Sequence, residues 1–487
     1  MISPQDLALA TPLTAVAAAV LTALAPRRHA ARVALAAAVP VAGIALTLAG
    51  LALHDAADPV AGRWIVVDAA GGLLVAVIAV IGLASTATSV SYLRGTSTSV
   101  LTRLGTERGY FVVLLLFWAL LLAVPLAGNL GAAWLLIEAT TAASALLVGF
   151  SGKAQALEAG WKYLILTSLG LGVALLGIAI LITGLPGGGI DGLTWHRLAT
   201  FSSGRPAALT AYLLLLAGLA AKIGWAPVHN WLPDAHSQAP PPVSALLSAA
   251  LLPAVLLVAW RSQRGLAPVI GVHPAREVLL GFGLVSVAVA VPFLWRPMPF
   301  KRLLAYSSLE HLGVMALGLG FGSPLALAGV ALHIAGHAVA KALGFYSASP
   351  LLAHEPRAAR RAVSGIGRTS PALGAAIGVS LGTLSGLPPS PLFVSEVLIL
   401  AGGFASGQTW AAAAAAVLLA LGFLGLAHAT IETLAGDAPR RDRAALPGLR
   451  LVTVLGSAAF VVLVGLAAVA PWLPGTSFVA ALVRGVP

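Results

Sequence analysis

The chain has 487 residues, 59% of them hydrophobic and only 9% charged, with a mean hydropathy of +0.97, a composition foreign to soluble globular chains of this size. Its formal charge of +12 does not imply nucleic acid, because the arginines sit in short connections between apolar runs, where anionic lipid headgroups are ordinary neighbours. Cysteine is absent, which excludes iron–sulfur ligation, thiolate chemistry and disulfides within the chain.

A spanning helix needs about 20 apolar residues, and such runs follow one another almost end to end. A transmembrane β-barrel would show short alternating segments instead. The first run has no basic stretch ahead of it and no evident cleavage site, so it reads as a spanning helix and not a leader. The sequence predicts an all-α polytopic membrane protein of about fourteen spans, near 5–25, 32–53, 66–92, 110–127, 129–150, 160–184, 207–225, 242–260, 276–295, 302–321, 325–349, 370–403, 408–434 and 449–473. The polar stretches between them are too short to fold alone, so residues 1–487 form a single integral membrane domain. The pair Gly170 and Gly172 lies inside an apolar helix with no strand before it, and there small residues serve close helix packing, not a nucleotide.

Two spans are predicted to be broken. The seventh is short and runs into Pro227 and Pro233; the twelfth is too long for one helix and carries Gly386, Pro388, Pro389 and Pro391 in its middle. Lipid does not tolerate the carbonyls so freed unless they face protein or water. Interrupted helices in both halves of a chain point to an ion pathway between inverted repeats.

Orientation follows from the basic residues. Connections after odd-numbered spans hold 19 lysines and arginines, the remaining connections and tails hold 7, and Lys222 and Lys341 fall inside spans. The odd connections are therefore expected on the cytoplasmic side and both termini on the external side.

Ionisable residues inside spans carry the functional reading, since a charge at mid-membrane costs roughly 2.5–3.5 kcal/mol on insertion scales and is retained for a reason. The chain has 23 arginines and 5 lysines, so lysine at Lys222 and Lys341 reads as a chemical choice: a desolvated lysine can release its proton near neutral pH and arginine cannot. Glu138, in an apolar stretch, holds its charge only beside a cation such as Lys222. His229, Asp234 and His236 supply polar company around the seventh span. His333, His337 and Lys341 recur every four residues, so they share one helix face and suit proton passage. With no HExxH pattern and no third ligand nearby in sequence, that histidine pair is not expected to hold a metal. Glu310 and His311 are adjacent, point to different faces and extend a polar network. Glu396 follows the break of the twelfth span, where its own helix offers it nothing. Glu158 and Lys162 read as a structural i,i+4 pair.

The stretches KIGWAPVHNWLPDAHSQAPPPVSALLS (222–248), LLAYSSLEHLGVMALGLG (303–320), HIAGHAVAKALGFY (333–346) and GLPPSPLFVSEVLIL (386–400) resemble the antiporter-like, proton-transporting membrane subunits shared by respiratory complex I, multisubunit cation/proton antiporters and group 4 membrane-bound nickel–iron hydrogenases. The wording IEATTAASALLV (137–148) with SSLEH (307–311) is most similar to the large membrane subunit of formate-hydrogenlyase-type hydrogenases, the hydrogenase-4 type. The likeness covers roughly residues 110–400. It implies two inverted five-helix repeats, 110–260 and 276–434, between flanking helices 1–109 and 435–487. It also implies a buried Glu138–Lys222 pair, a relay through His333, His337 and Lys341, and a terminal residue, Glu396. Many members carry a lysine in the eighth helix, and SALLSAALLPAVLLVAW has no ionisable residue, so Ser248, water, or Glu310 and His311 would have to fill that gap.

The expectation is a proton-translocating subunit of a redox-driven complex in the cell membrane, with other membrane subunits as partners and with no cofactor, metal or catalytic centre of its own. A subunit of a sodium/proton antiporter is the nearest alternative. A non-conducting scaffold that anchors a peripheral enzyme is the other.

Overall fold

The computed structural model describes residues 3–55, 59–94, 106–187, 189–437 and 448–484. Arg103, Arg440, Arg441 and Arg443, which enter the orientation argument, lie outside the described residues. The principal helices are α1 (Pro4–Leu24), α2 (Ala30–His54), α3 (Ala69–Arg94), α4 (Glu107–Ala123), α5 (Leu130–Val148), α6 (Ala154–Gly184), α7 (Arg205–Ile223), α8 (Trp231–Gln238), α9 (Pro241–Ile270), α10 (Val272–Leu294), α11 (Phe300–Phe321), α12 (Pro324–His354), α13 (Pro371–Leu384), α14 (Pro391–Ala405), α15 (Thr409–Ala435), α16 (Leu449–Val469) and α17 (Ser477–Arg484). Thirteen of the described helices are long and apolar enough to cross a membrane; α13 and α14, each too short alone, together make the fourteenth span. The only strands among the described residues form a small hairpin, Val60 opposite Val67 and Ala61 opposite Val66, tied by a bridge from Ile65 to Ala127.

Spans four to eight (α4 to α9, with α7 and α8 as one broken span) and nine to thirteen (α10 to α15, with α13 and α14 as the other) are two sets of five, each with one break, and correspond to the stretches expected as inverted repeats. Burial separates centre from rim. The apolar windows of α9 and α11 are buried along their whole length, whereas α1, α6 and α16 show most of their windows outward. The buried polar side chains concentrate on α9 and α11: Ser244, Ser248, Arg261, Ser262 and Gln263 on one, Lys301, Ser307, Ser308, Glu310 and His311 on the other.

Close packing joins α6 to α7 within the first set of five spans. A Cβ at Gly170 of α6 would meet Ala221 of α7 and the Gly218 carbonyl, and a Cβ at Gly218 would meet Ala174, so these helices approach at backbone distance. Gly172 faces open space and takes no part. Of the pair singled out in the sequence, one glycine makes the seam.

Both breaks fall where proline and glycine put them, and several of the freed backbone groups find partners. The helix α7 ends at Gly224, whose φ of +82° is left-handed, and its N–H donates to the Ala220 carbonyl. Trp225 N–H donates to the same carbonyl, and Trp231 Nε1–H donates to the Ala221 carbonyl at 2.7 Å. In the second break Gly386 has a φ of +71°, its N–H donates to Thr383, and Ser390 caps α14 by accepting the Phe393 N–H.

Candidate functional site

Lys222 occupies the last turn of α7, where a cation complements the carbonyl end of a helix, and it is fully buried. An ammonium has three donors. One goes to Thr141 Oγ1 of α5 at 2.7 Å and one to Tyr163 Oη of α6 at 2.5 Å, with the ammonium also 4.6 Å from the Tyr163 ring centroid. Proton directions here follow from the bonds. Ser144 Oγ donates to the Thr140 carbonyl at 2.5 Å, so its own proton is committed, and Tyr163 must donate to Ser144 at 2.7 Å while accepting from Lys222. The result is an oriented chain of Lys222, Tyr163 and Ser144.

Glu138 stands beside this chain without closing an ion pair. Its Oε1 accepts from Ser168 at 2.6 Å, its Oε2 is buried without a hydrogen-bond partner, and no salt bridge joins it to Lys222. Glu138 and Lys222, expected from the sequence as a pair, thus bond to different hydroxyls, Glu138 to Ser168 and Lys222 to Thr141 and Tyr163. The reason is local: Thr141, one turn on from Glu138, reaches the ammonium first.

His236 on α8 is fully buried, with its ring 5.4 Å from Phe345 and 6.5 Å from Trp231. His229 does not join it. Pro227, Val228 and Asn230 are exposed in the turn between α7 and α8, and that outward turn leaves His229 half-buried at the margin. Asp234 is likewise peripheral, 3.5 Å from both Lys162 and Arg302, while Lys162 pairs with Glu158 at 2.6 Å. Lys301 had no assigned part beyond its charge. It is buried, and its ammonium donates to the carbonyls of Ser237 and Ala239, which closes the free end of α8.

The last span of the first set of five, α9, packs against both α7 and α12. It departs from the expected span in two ways. Residues Leu247–Leu251 form a π-helical turn, a feature that concentrates at functional positions, and Ser248 within it lies 2.8 Å from Ser308 of α11. The helix also runs on to Ile270 and does not end near 260, so the eighth span does carry a buried charge: Arg261 donates to Asp68 at 2.8 Å and to the Pro125 carbonyl at 2.8 Å. Polar Arg261, Ser262, Gln263 and Arg264 look like a connection in the sequence; burial against α3 and the 195–200 turn makes them helix.

The second cluster centres on α11 and α12. Lys341 is fully buried and donates to the Leu304 carbonyl at 2.6 Å and to Ser307. His333, His337 and His311 form a triangle of rings, with centroids 5.1 Å (311 to 333), 5.3 Å (311 to 337) and 6.4 Å (333 to 337) apart. His311 Nδ1 and His333 Nε2 are 3.1 Å apart, and His333 Nδ1 is 2.8 Å from Ser395 of α14. Glu310 is buried and turned toward Gly422 of α15, where any Cβ would strike its Oε1. Glu396, partly exposed, turns back to the break, where a Cβ at Gly386 would lie 3.0 Å from its Oε2. The structure therefore joins His311, His333, His337, Lys341 and Glu396 into one group from three helices. The third ligand-type group that the histidine pair lacks in sequence is supplied in space by His311 and Glu396.

Tyr163, Thr141, Ser144, Ser307, Ser308 and Ser395 are the parts that sequence reasoning missed. Hydroxyls in apolar helices usually bond back to their own helix, so only the position of the lysine or histidine across the gap reveals them.

Residues 127–423 match the family model described as "NADH:quinone oxidoreductase/Mrp antiporter, TM". The chain belongs to that family. It is an antiporter-like, multi-pass membrane protein of the type found in complex I, Mrp antiporters and hydrogenases. It is 33% identical over 345 residues to the hydrogenase-4 component F homolog of Methylacidiphilum infernorum, covering 69% of this chain and 72% of that protein. It is 29% identical to NADH-quinone oxidoreductase subunit N of Granulibacter bethesdensis, covering 64% and 66%. A Mycobacterium tuberculosis relative, uncharacterized protein Rv0083, is 34% identical over a stretch that makes up only 45% of its own length and 58% of this chain. In fold, a chain of an archaeal membrane-bound sulfane sulfur reductase superposes with a TM-score of 0.84 at 20% identity, covering 99% of this chain and 97% of that one; a chain of the Dietzia Mrp complex does so at 0.81 and 22%, covering 99% and 97%.

Proposed function

We propose that this subunit translocates protons across the cell membrane as part of a redox-driven, multisubunit complex of the complex I or group 4 hydrogenase kind. The observation that carries this reading is the series of buried proton-bearing side chains at the two breaks and between them: Lys222 with Tyr163 and Ser144, then Ser248 with Ser308, then Lys341 on Ser307, then the three histidines and Glu396. Each hydroxyl both accepts and donates, and each imidazole has two nitrogens, so protons can pass without a diffusing carrier once water joins the groups.

The mechanism is electrostatic. A negative neighbour at Glu138 holds the proton on Lys222; drawing Glu138 away favours its release toward α9 and the second cluster. Because Lys222 is bonded to the Thr141 and Tyr163 hydroxyls and not locked in a salt bridge with Glu138, a small movement of α5 against α7 can alter their interaction. Sodium is the alternative cargo. A hard cation takes oxygen ligands, and a route lined by ammonium and imidazole groups favours the proton over it.

Partner membrane subunits are inferred from two flanks. Glu138 and Glu396 are each partly exposed on helices whose neighbours Leu135 and Val397 are exposed and apolar, so a carboxylate there would otherwise face lipid. Relatives of this fold are chains of an Mrp complex and of complex I, which fits packing of such flanks against other subunits. Both termini are placed on the external side, on the distribution of basic residues.

The deciding experiment is proton uptake by vesicles containing the assembled complex, with redox turnover recorded alongside. Glu138→Gln and Lys222→Ala are expected to stop uptake while assembly persists. Uptake at the parental rate in either variant would exclude the pair as the coupling element. Uptake that requires sodium would favour the antiporter alternative.

A further inference from the structure

We propose that His311, His333 and Glu396 form a site for a divalent transition-metal ion, with zinc as the ion that fits them best. Their ligand atoms all lie within 4.8 Å of one another, although they come from three helices, α11, α12 and α14. The nearest two, His311 Nδ1 and His333 Nε2, are 3.1 Å apart. Tetrahedral zinc with bonds of about 2.0–2.1 Å to nitrogen holds adjacent ligand atoms roughly 3.3 Å apart, so the two imidazoles already stand at coordination spacing. Only the carboxylate has to close in.

The hydrogen bonds prepare the right lone pairs. Ser395 Oγ donates its single proton to the Leu392 carbonyl at 2.7 Å, so toward His333 it can only accept. His333 therefore carries its proton on Nδ1 and presents a bare Nε2 to His311. That is the outer-shell arrangement of metal-binding histidines, in which the second nitrogen donates to a fixed oxygen and sets the tautomer. His311 Nδ1–H is then the donor in that hydrogen bond, and His311 joins as a second ligand by shifting its proton to Nε2, with no change of charge.

A fourth position is available as well. Both ring nitrogens of His337 are buried without a hydrogen-bond partner, and its ring lies 5.3 Å from that of His311. Imidazole and carboxylate together suit zinc, and the Irving–Williams order places copper and zinc above manganese and iron at such a set. The charges around the site work in both directions. Glu396, once deprotonated as a ligand, brings the one compensating negative charge to the site, whereas Lys341 competes with the ion but is engaged on the Leu304 carbonyl and Ser307. Entry is from the partly exposed Glu396 side, at the break between α13 and α14.

A metal bound here would tie α11, α12 and α14 together and occupy the nitrogens that the proton route uses. The effect on transport rests on the proposed proton pathway; the binding does not, and the two are measured separately. Binding is read on the purified full-length chain in detergent, by calorimetric titration with zinc and by the visible bands that tetrahedral Co2+ gives. The wild type is expected to take up one ion per chain. Glu396→Gln and His333→Ala are expected to lose it, and Ser395→Ala, which removes only the outer oxygen, to weaken it about tenfold. His273→Ala, at an exposed histidine, should change nothing. If His333→Ala fails to fold, the isosteric Glu396→Gln still decides. No tight uptake by the wild type, or uptake unchanged in Glu396→Gln, overturns the site. In vesicles, zinc should stop proton uptake in the wild type and spare it in variants that retain transport. Binding without inhibition upholds the site and removes the histidines from the route.

Discussion

The two broken spans carry opposite charges at corresponding places in the two repeats. In the first, Lys222 sits in the last turn before the break; in the second, Glu396 sits just after it. The second helix of each repeat carries a carboxylate, Glu138 on α5 and Glu310 on α11. The third helices differ most: α6 offers a tyrosine, whereas α12 offers Lys341 and two histidines. Around Lys222 the partners are hydroxyls with fixed directions, so the group holds one proton in one arrangement. Around Lys341 several nitrogens compete, so a proton there has several resting places. On the proposed proton route, these side chains would make the first break a loading point and the second a distribution point.

The sharpest way to break this comparison is to replace each lysine with arginine. Arginine, with a pKa of about 12.5 or higher, keeps its proton at any working pH and pairs with carboxylates at least as well. Lys222→Arg and Lys341→Arg are both expected to assemble and to lose proton uptake. Full pumping with arginine at both positions would leave the scaffold alternative as the better account.

The Asp68–Arg261 pair is expected to contribute stability and no selectivity between the two sites. Removing one member of a buried pair costs about 3–5 kcal/mol, so Asp68→Asn should lower the melting temperature of the purified chain substantially. An unchanged melting temperature would show that the pair does not hold α9 to α3.

A smaller effect separates the two regions directly. Tyr163→Phe deletes one acceptor for Lys222, and a hydrogen bond to a charged group is worth about 1.5–3 kcal/mol. Proton uptake should slow about tenfold or more, while metal binding at the histidine triangle stays as in the wild type. If both change together, the regions are one coupled unit and not two. The least perturbing test concerns orientation: on this cysteine-free chain, Ala359→Cys should react only from the cytoplasmic side and Ser202→Cys only from the external side. The reverse pattern would invert the topology.

Much of this was readable in the sequence because it depends on spacing along one chain. Run length gave the spans, proline and glycine placed both breaks, and the four-residue spacing put His333, His337 and Lys341 on one face. The eighth span was misread at its end because Arg261 and Gln263 look like solvent residues until α3 supplies Asp68. The hydroxyl partners of the Glu138–Lys222 pair were not legible, because Tyr163 and Ser168 come from another helix, α6.

By itself, the sequence determined that the chain lives in a bilayer, how often it crosses, where its helices must break and which charges are too costly to be accidental. Those follow from transfer energies and backbone geometry, which act within one segment. Only the tertiary structure decided which polar groups meet: Tyr163 with Lys222, Ser248 with Ser308, and His311 with His333 and Glu396. These groups lie on different helices, and what brings them together is helix packing, as where Gly170 and Gly218 let α6 and α7 approach beside Lys222 and Tyr163.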